Sequence, residues 1–107
     1  MNREEKFVQF FTQLTADNLD EINNVFTKNA HFKDPFNDVA GIENIKTVFT
    51  HMFATTEQPK FIMNHSASKQ DKLFIQWNFT FIKNKTNWDI EGTSMVTFDD
   101  NDKSLNI

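Results

Sequence analysis

Cysteine is absent from the 107-residue chain, and so is tyrosine. Without cysteine, disulfides and thiolate chemistry are excluded. Basic residues are in the minority, since the net charge is -4, and this argues against nucleic acid as the main partner because phosphate binding needs a basic stripe. No apolar run approaches a membrane span, and the charged N-terminus does not resemble a signal peptide. We therefore expect a cytoplasmic protein whose partners include neither nucleic acid nor a membrane.

Phenylalanine is abundant instead, with thirteen Phe and two Trp in the chain. A chain of this length is expected to form a single domain over residues 1–107 and to bury about two-thirds of its unfolded surface. Phenylalanine contributes apolar area without a polar group. The core takes part of these rings, and we expect the others to line a cavity.

Apolar residues recur at helical spacing in three segments. The first helix is predicted over 3–14, with Asn2 as its N-cap and Glu5 completing a capping box. The second begins at Thr15, and the third covers 42–54. The three apolar stripes are Phe7, Phe10, Phe11 and Leu14; Leu19, Ile22 and Phe26; and Ile42, Ile45, Val48, Phe49, Met52 and Phe53.

Alternating patterns predict the strands. Ala30 to Asp34 forms a short strand that Pro35 ends, because proline donates no backbone hydrogen bond. Only strand patterns follow the third helix, over 60–67, 73–82, 86–98 and 104–107. This order predicts an α+β domain with its helices on one face of an antiparallel sheet. The last segment is either a very short strand, part of a sheet completed by a partner subunit, or the truncated end of a longer protein.

Asp34 is the first candidate for a functional group. It shares the predicted strand face with Phe32 and lies close to Phe36, so its carboxylate would be desolvated. Desolvation makes a carboxylate a better general base near neutral pH. The structural alternative is that Asp-Pro initiates a turn, with the side chain accepting hydrogen bonds from nearby amides.

The histidines form no recognisable metal motif. His31 and Asp34 fall on opposite faces of the predicted strand, and His51 has no ligand-type residue one helical turn away. We therefore expect neither a metal ion nor a cofactor. His65 shares a predicted strand face with apolar residues, and is either a donor in a cavity or a half-buried edge residue. Ser94 lacks the sequence context of a serine nucleophile.

Five segments carry a resemblance to a known family: Leu14-Thr-Ala-Asp-Asn-Leu, Ala30-His-Phe-Lys-Asp-Pro-Phe, Gly41-Ile-Glu-Asn-Ile-Lys-Thr-Val-Phe, Gln76-Trp-Asn-Phe-Thr-Phe and Ile90-Glu-Gly-Thr-Ser-Met-Val-Thr-Phe. In this order they resemble the nuclear transport factor 2-like superfamily, in its SnoaL-like branch. The resemblance implies a cone-shaped curved antiparallel sheet, as in the cystatin-like roll, packed against three helices in the N-terminal half. It also implies an apolar pocket at the open end and often a homodimer through the outer sheet face.

Ketosteroid isomerase belongs to the same superfamily, and the resemblance places Asp34 at the position of its catalytic aspartate. The isomerase also needs an oxyanion hole made by a tyrosine and a protonated aspartate, whose positions correspond to Phe10 and Ser94. Loss of one oxyanion donor costs on the order of a hundredfold or more in rate. Steroid isomerase activity is therefore not expected from this chain.

Three functions remain open. The leading hypothesis is binding of a small apolar molecule in a pocket where Asp34 is the one charged group that points inward. The second is an isomerase or lyase in which Asp34 removes a proton next to a carbonyl and Ser94 or His65 assists. The third is a protein-interaction module that uses the outer sheet face and an incomplete sheet edge. The expected pocket lining is Phe10, Phe32, Phe49, Trp77, Phe79, Trp88 and Ser94.

Overall fold

The computed structural model describes residues 1–34 and 37–106. Its elements are α1 (Arg3–Thr12), a 3₁₀ turn (Leu19–Glu21), α2 (Ile22–Val25), β1 (Phe26–Lys33), β2 (Asp38–Ala40), α3 (Ile42–Thr55), β3 (Glu57–Lys69), β4 (Lys72–Lys83), β5 (Thr86–Phe98) and β6 (Ser104–Asn106). The predicted strand terminator Pro35, the predicted neighbour Phe36 of Asp34, and Ile107 lie outside the described residues.

Helix α1 begins where its capping pattern predicts. The Asn2 side chain accepts a hydrogen bond from the backbone N–H of Glu5 at 2.8 Å, which satisfies one of the unpaired amides at the helix start. Three phenylalanines of the helix are buried, and Leu14 is also buried although α1 already ends at Thr12. The predicted apolar stripe is thus present, and the helix is two residues shorter than predicted.

The predicted second helix is interrupted before it begins. The Asn18 side chain accepts from the backbone N–H of Thr15 at 2.8 Å and donates to the carbonyl of Gln13 at 2.9 Å. Asparagine that binds backbone groups in this way stabilises a turn rather than a helix. Only the 3₁₀ turn and the four-residue α2 follow, and Phe26 already belongs to β1.

The six strands form one curved sheet in the order β2-β1-β6-β5-β4-β3, and the fold is α+β as predicted. The sheet is mixed rather than purely antiparallel, because β6 pairs with β1 in parallel, with Phe26 opposite Ser104. The long β3–β4–β5 meander is antiparallel, with β4 and β5 paired from Lys72 with Thr97 to Lys83 with Thr86.

The position of β6 corrects the expectation of an incomplete sheet edge. Within the described residues, β6 lies between β1 and β5, so both of its sides pair with strands of the same chain. The sheet edges are β2 and β3. The short last segment therefore joins the two halves of the sheet and leaves no gap there for a partner subunit.

The core lies between the helices and one half of the sheet. The Phe7 ring contacts Phe26 and Phe98 in edge-on arrangements, with centroid distances of 5.9 and 6.1 Å. Arg3 lies over the Phe98 ring at 4.9 Å and donates to the carbonyl of Gln70, which fixes the start of α1 to the β3–β4 turn. No helix in the described part of the chain is both long and apolar enough to cross a membrane.

Candidate functional site

The inner face of the sheet, the face toward the helices, changes from buried to exposed along β4 and β5. At the end covered by the helices, Leu73 and Ile75 of β4 are 2% and 1% exposed, and Val96 and Phe98 of β5 are equally well buried. At the opposite end of the same face, Trp88 is 49% exposed. Between the two ends lie the half-buried residues Trp77, Phe79, Phe81 and Ile90.

Four rings at this end are stacked in a row, which we call the aromatic ladder: Phe61, Phe79, Phe81 and Trp88. Phe61 and Phe79 face each other across β3 and β4 at 4.6 Å, with an interplanar angle of 15°. Phe79 and Phe81 are 4.9 Å apart, and Phe81 and Trp88 are 6.0 Å apart with nearly parallel planes. The Phe79 and Phe81 planes are tilted by 33°, and each of these two rings has a ring on either side, so that their edges rather than their faces remain accessible.

Three of the predicted lining residues belong to the core instead of an open space. Phe10, Phe32 and Phe49 are 7%, 8% and 2% exposed. Phe49 contacts Phe10 and Phe32 with ring centroids 6.3 and 5.6 Å apart. These rings fill the inner end of the sheet, so the part of the predicted lining that remains accessible is at the aromatic ladder.

Trp77 and Ser94 form a pair across β4 and β5. The indole Nε1–H of Trp77 donates to Ser94 Oγ at 2.9 Å, and both residues are part-buried. The indole ring lies over Gly92, where an added Cβ would come within 2.3 Å of it. The hydrogen bond to Ser94 therefore helps to hold the Trp77 ring in place.

Asp34 lies at the end of β1 and is half-buried. Its Oδ1 accepts from the backbone N–H of Asn37 at 2.7 Å and from the Asn37 side-chain amide at 3.2 Å. The backbone N–H of Asp34 donates to the carbonyl of Asn37 at 2.9 Å. This is the arrangement of the structural alternative, in which the aspartate closes a turn.

A bulge in β3 moves His65 away from the predicted face. Met63 pairs with Trp77, but His65 pairs with Gln76, so the register shifts by one residue between them. A one-residue shift transfers every following side chain to the other face of the sheet. His65 is exposed and lies on the outer face, and so it is not brought to the aromatic ladder.

His31 and Asp38 form an ion pair that the sequence analysis did not identify. His31 Nε2 and Asp38 Oδ1 are 2.5 Å apart across β1 and β2, and both side chains are exposed. The hydrogen bond from His31 lowers the pKa of Asp38 below its ordinary value, with further electrostatic help from His31 and Lys33. The spacing of seven residues gives no signal, because the pairing depends on the β1–β2 hairpin, and the sequence analysis predicts no strand at the position of β2.

Two cavities of the described residues lie away from the aromatic ladder. A groove of about 600 Å³ runs between α1, the α2 region and the β5–β6 turn, its walls are about equally polar and apolar, and Phe10 borders it. A smaller hollow of about 240 Å³ lies at the start of α1. In the described ranges, no group of three or more His, Asp or Glu side chains converges to hold a metal ion.

Phe61 and Phe81 are the ladder residues absent from the predicted lining. Phe81 follows Trp77 and Phe79 at the same alternation, so the strand pattern contains the signal. Phe61 could not be placed against Phe79 without the β3–β4 register.

Comparison with known proteins agrees with this fold. Residues 7–104 match the family model of the SnoaL-like domain. No curated protein matches this chain in sequence.

Several solved structures are similar. One from Jannaschia sp., assigned to the SnoaL-like polyketide cyclases, has a TM-score of 0.83 and 14% identity over 97% of this chain and 81% of that one. A protein of ketosteroid isomerase-like fold from Catenulispora acidiphila, in complex with trimethylamine, has a TM-score of 0.82 and 12% identity over 97% and 80% of the two chains. A nuclear transport factor 2-like protein of unknown function from Burkholderia pseudomallei has a TM-score of 0.84 and 5% identity over 99% and 87%. At these identities the similarity establishes the fold alone.

Proposed function

Since the chain belongs to the SnoaL-like domain family, we propose that it binds a small, mostly apolar organic molecule on the inner face of its sheet, at the aromatic ladder. The observation that carries this proposal is the burial gradient along β4 and β5, which ends in Trp88 at 49% exposure. Large apolar side chains left accessible next to one another are typical of surfaces that bind another molecule. The bound trimethylamine of the Catenulispora protein supports the idea that this fold accommodates a small organic molecule.

Asp34 would close the turn after β1 rather than carry out a reaction. Its Oδ1 is engaged by Asn37, and Ser94 is engaged by Trp77. A general base needs a free approach to its proton and a partner that stabilises the developing oxyanion. We therefore place binding ahead of the isomerase or lyase alternative, and we propose a cytoplasmic location, which the lack of cysteine supports.

The proposal is tested with 2-acetonaphthone, a planar ketone that reports on both binding and proton removal. We expect it to quench tryptophan emission and, at a hundred times its dissociation constant, to add about 2.7 kcal/mol to the free energy of unfolding. Trp88→Ala should raise the dissociation constant about two- to tenfold, as expected from the loss of one aromatic contact. Phe74→Ala, which removes an exposed ring from the outer face, is the matched control and should leave binding unchanged.

The same ketone separates binder from enzyme. In D2O, a general base would exchange its methyl protons for deuterium, which NMR follows directly. We expect no acceleration by the wild-type protein and unchanged binding by Asp34→Asn. If the wild-type protein accelerates the exchange and Asp34→Asn abolishes this acceleration, the enzyme alternative replaces the binding proposal.

We also propose a homodimer through the outer sheet face. Phe74 and Met95 are cross-strand partners on that face and are 43% and 48% exposed. Ala67 pairs with Phe74 on one side, so the apolar surface continues onto β3. An apolar patch that spans several strands is a common dimer contact.

A further inference from the structure

The inner face of the sheet ends in a positive charge directly beyond the aromatic ladder. Lys83 and Thr86 are cross-strand partners at the last position of β4 and the first of β5. Strand alternation places them on the same face as Phe81 and Trp88. Lys83 follows Phe81 by two residues, and Thr86 precedes Trp88 by two residues. Both Lys83 and Thr86 are exposed, and no ion pair within the described ranges involves Lys83.

The inner positions of β4 and β5 contain no acidic residue, and Lys83 is their one charged residue. The nearby carboxylates belong to the outer face, where Asp89 accepts from Asn78 at 2.7 Å and Glu91 accepts from Gln76 at 3.1 Å. The one charged side chain at the inner positions of these two strands is therefore positive, although the whole chain carries a net charge of -4.

The arrangement of the rings favours the same sign of ligand. A cation binds the negative face of an aromatic ring. In the ladder, Phe79 and Phe81 each lie between two other rings at 4.6 to 6.0 Å, so the edges of these two rings remain accessible. Ring edges are the positive part of the quadrupole, and they pack edge-to-face against the π-face of another planar ring.

From this juxtaposition we propose that the ligand is a planar aromatic acid, whose fused rings lie across the aromatic ladder and whose carboxylate meets the Lys83 ammonium group, with the Thr86 hydroxyl as an additional donor. The inference rests on the proposed function, since it names the ligand class of the same face. Along the inner face, buried core residues are followed by half-exposed rings and then by a lysine. This order matches the amphipathic character of such an acid. A two-ring body spans neighbouring rings of the ladder.

Three probes of one shape and different charge test the inference: 2-naphthoate, 2-naphthamide and 2-naphthyltrimethylammonium. Dissociation constants are measured at pH 7 by quenching of tryptophan emission and by calorimetry. We expect 2-naphthoate to bind several-fold more tightly than the neutral amide, and the cation most weakly. Added salt should reduce the preference for the anion, because an exposed ion pair is screened.

Lys83→Gln should raise the dissociation constant of 2-naphthoate about three- to tenfold, which is the range for one partly exposed charge-assisted contact. It should leave 2-naphthamide binding unchanged. The matched control is Lys60→Gln, which removes the same charge from β3 opposite Thr80 but from the outer face. This control should bind all three probes as the wild-type protein does.

The outcomes separate this inference from the proposed function. Equal binding of anion and amide, or tighter binding of the cation, would overturn the ligand class while the binding face itself stands. Loss of 2-naphthoate affinity in Lys60→Gln as large as in Lys83→Gln would also overturn it, because the effect would then come from general charge. If none of the three probes binds, the proposed function fails together with the inference.

Discussion

At the scale of single residues, Gly92 decides where the Trp77 indole can lie. The ring crosses the strand at Gly92 so closely that a Cβ built there would lie 2.3, 2.5 and 2.8 Å from three ring carbons. The contact partner is the ring itself and not the flexible end of a long side chain, so there is little room for adjustment. Glycine is needed here for space, and the ring it admits reaches Ser94.

We predict that Gly92→Ala destabilises the protein by about 1–3 kcal/mol, the usual cost of overpacking. Trp77 must move, and its Nε1–H then loses Ser94 as an acceptor. Thermal unfolding measures the loss, and the tryptophan emission maximum reports the displaced ring. Thr93→Ala, at the neighbouring exposed position, should change neither quantity. A Gly92→Ala protein with wild-type stability and emission would show that the ring does not occupy this position.

Ser94→Ala, included in the same experiment, separates the hydrogen bond from the packing. It should cost less than Gly92→Ala, since it removes the acceptor while leaving the ring in place.

At the scale of elements, the β1–β2 hairpin holds the turn that contains Asp34. Strand β2 has three residues and pairs through His31–Ala40, Phe32–Val39 and Lys33–Asp38. The His31–Asp38 ion pair adds a side-chain link to this short pairing. Because its hydrogen bond lowers the pKa of Asp38, the folded state favours the ionised carboxylate.

The lowered pKa of Asp38 fixes the sign of a pH dependence. A carboxylate with a depressed folded pKa stabilises the protein above its unfolded pKa, and this contribution is lost as the pH falls through the folded value. We predict that Asp38→Asn lowers the melting temperature at pH 6, and that the difference from wild type disappears as the pH falls below about 4. Asp100→Asn, at an exposed turn position, is the control. A difference that persists unchanged at pH 2.5 would contradict this account.

The helices and strands also show which features of the fold the sequence could predict. Helix α1 and the β4–β5 hairpin follow from periodicity, because their apolar residues face one uniform surface. The sequence predicts a second helix that is too long, because Leu19, Ile22 and Phe26 are buried whether Phe26 ends a helix or begins a strand. What distinguishes the two is the Asn18 turn, which periodicity does not contain.

The part of the candidate site that lies along strand β4 could be predicted from the sequence. Trp77 and Phe79 were placed on the correct face from alternation alone. His65 was placed on the wrong face, because a bulge changes the alternation without a marked change in sequence. The division between buried Phe10 and exposed Trp88 depends on where the helices end over the sheet, and this is a property of packing rather than of local pattern.

At the scale of the whole molecule, the protein is elongated, with principal extents of 43, 28 and 25 Å. The buried cluster occupies the end where the helices cover the sheet, and the aromatic ladder lies at the other end of the inner face. The apolar patch at Phe74 and Met95 is on the outer face, behind the buried core. A dimer through this patch would leave the inner face free, so assembly and ligand binding are compatible.

The dimer is tested by changing the centre of the patch. Met95→Lys places a charge beside its counterpart in a second copy, where removal from water is costly, and like charges across a two-fold axis repel. We expect wild type to sediment as a dimer at micromolar concentration and Met95→Lys to sediment as a monomer with unchanged circular dichroism. Thr80→Lys, on the same outer face but outside the patch, should remain dimeric. A wild-type protein that stays monomeric at high concentration would leave Phe74 and Met95 as solvated surface, and an undissociated Met95→Lys dimer would place the interface elsewhere.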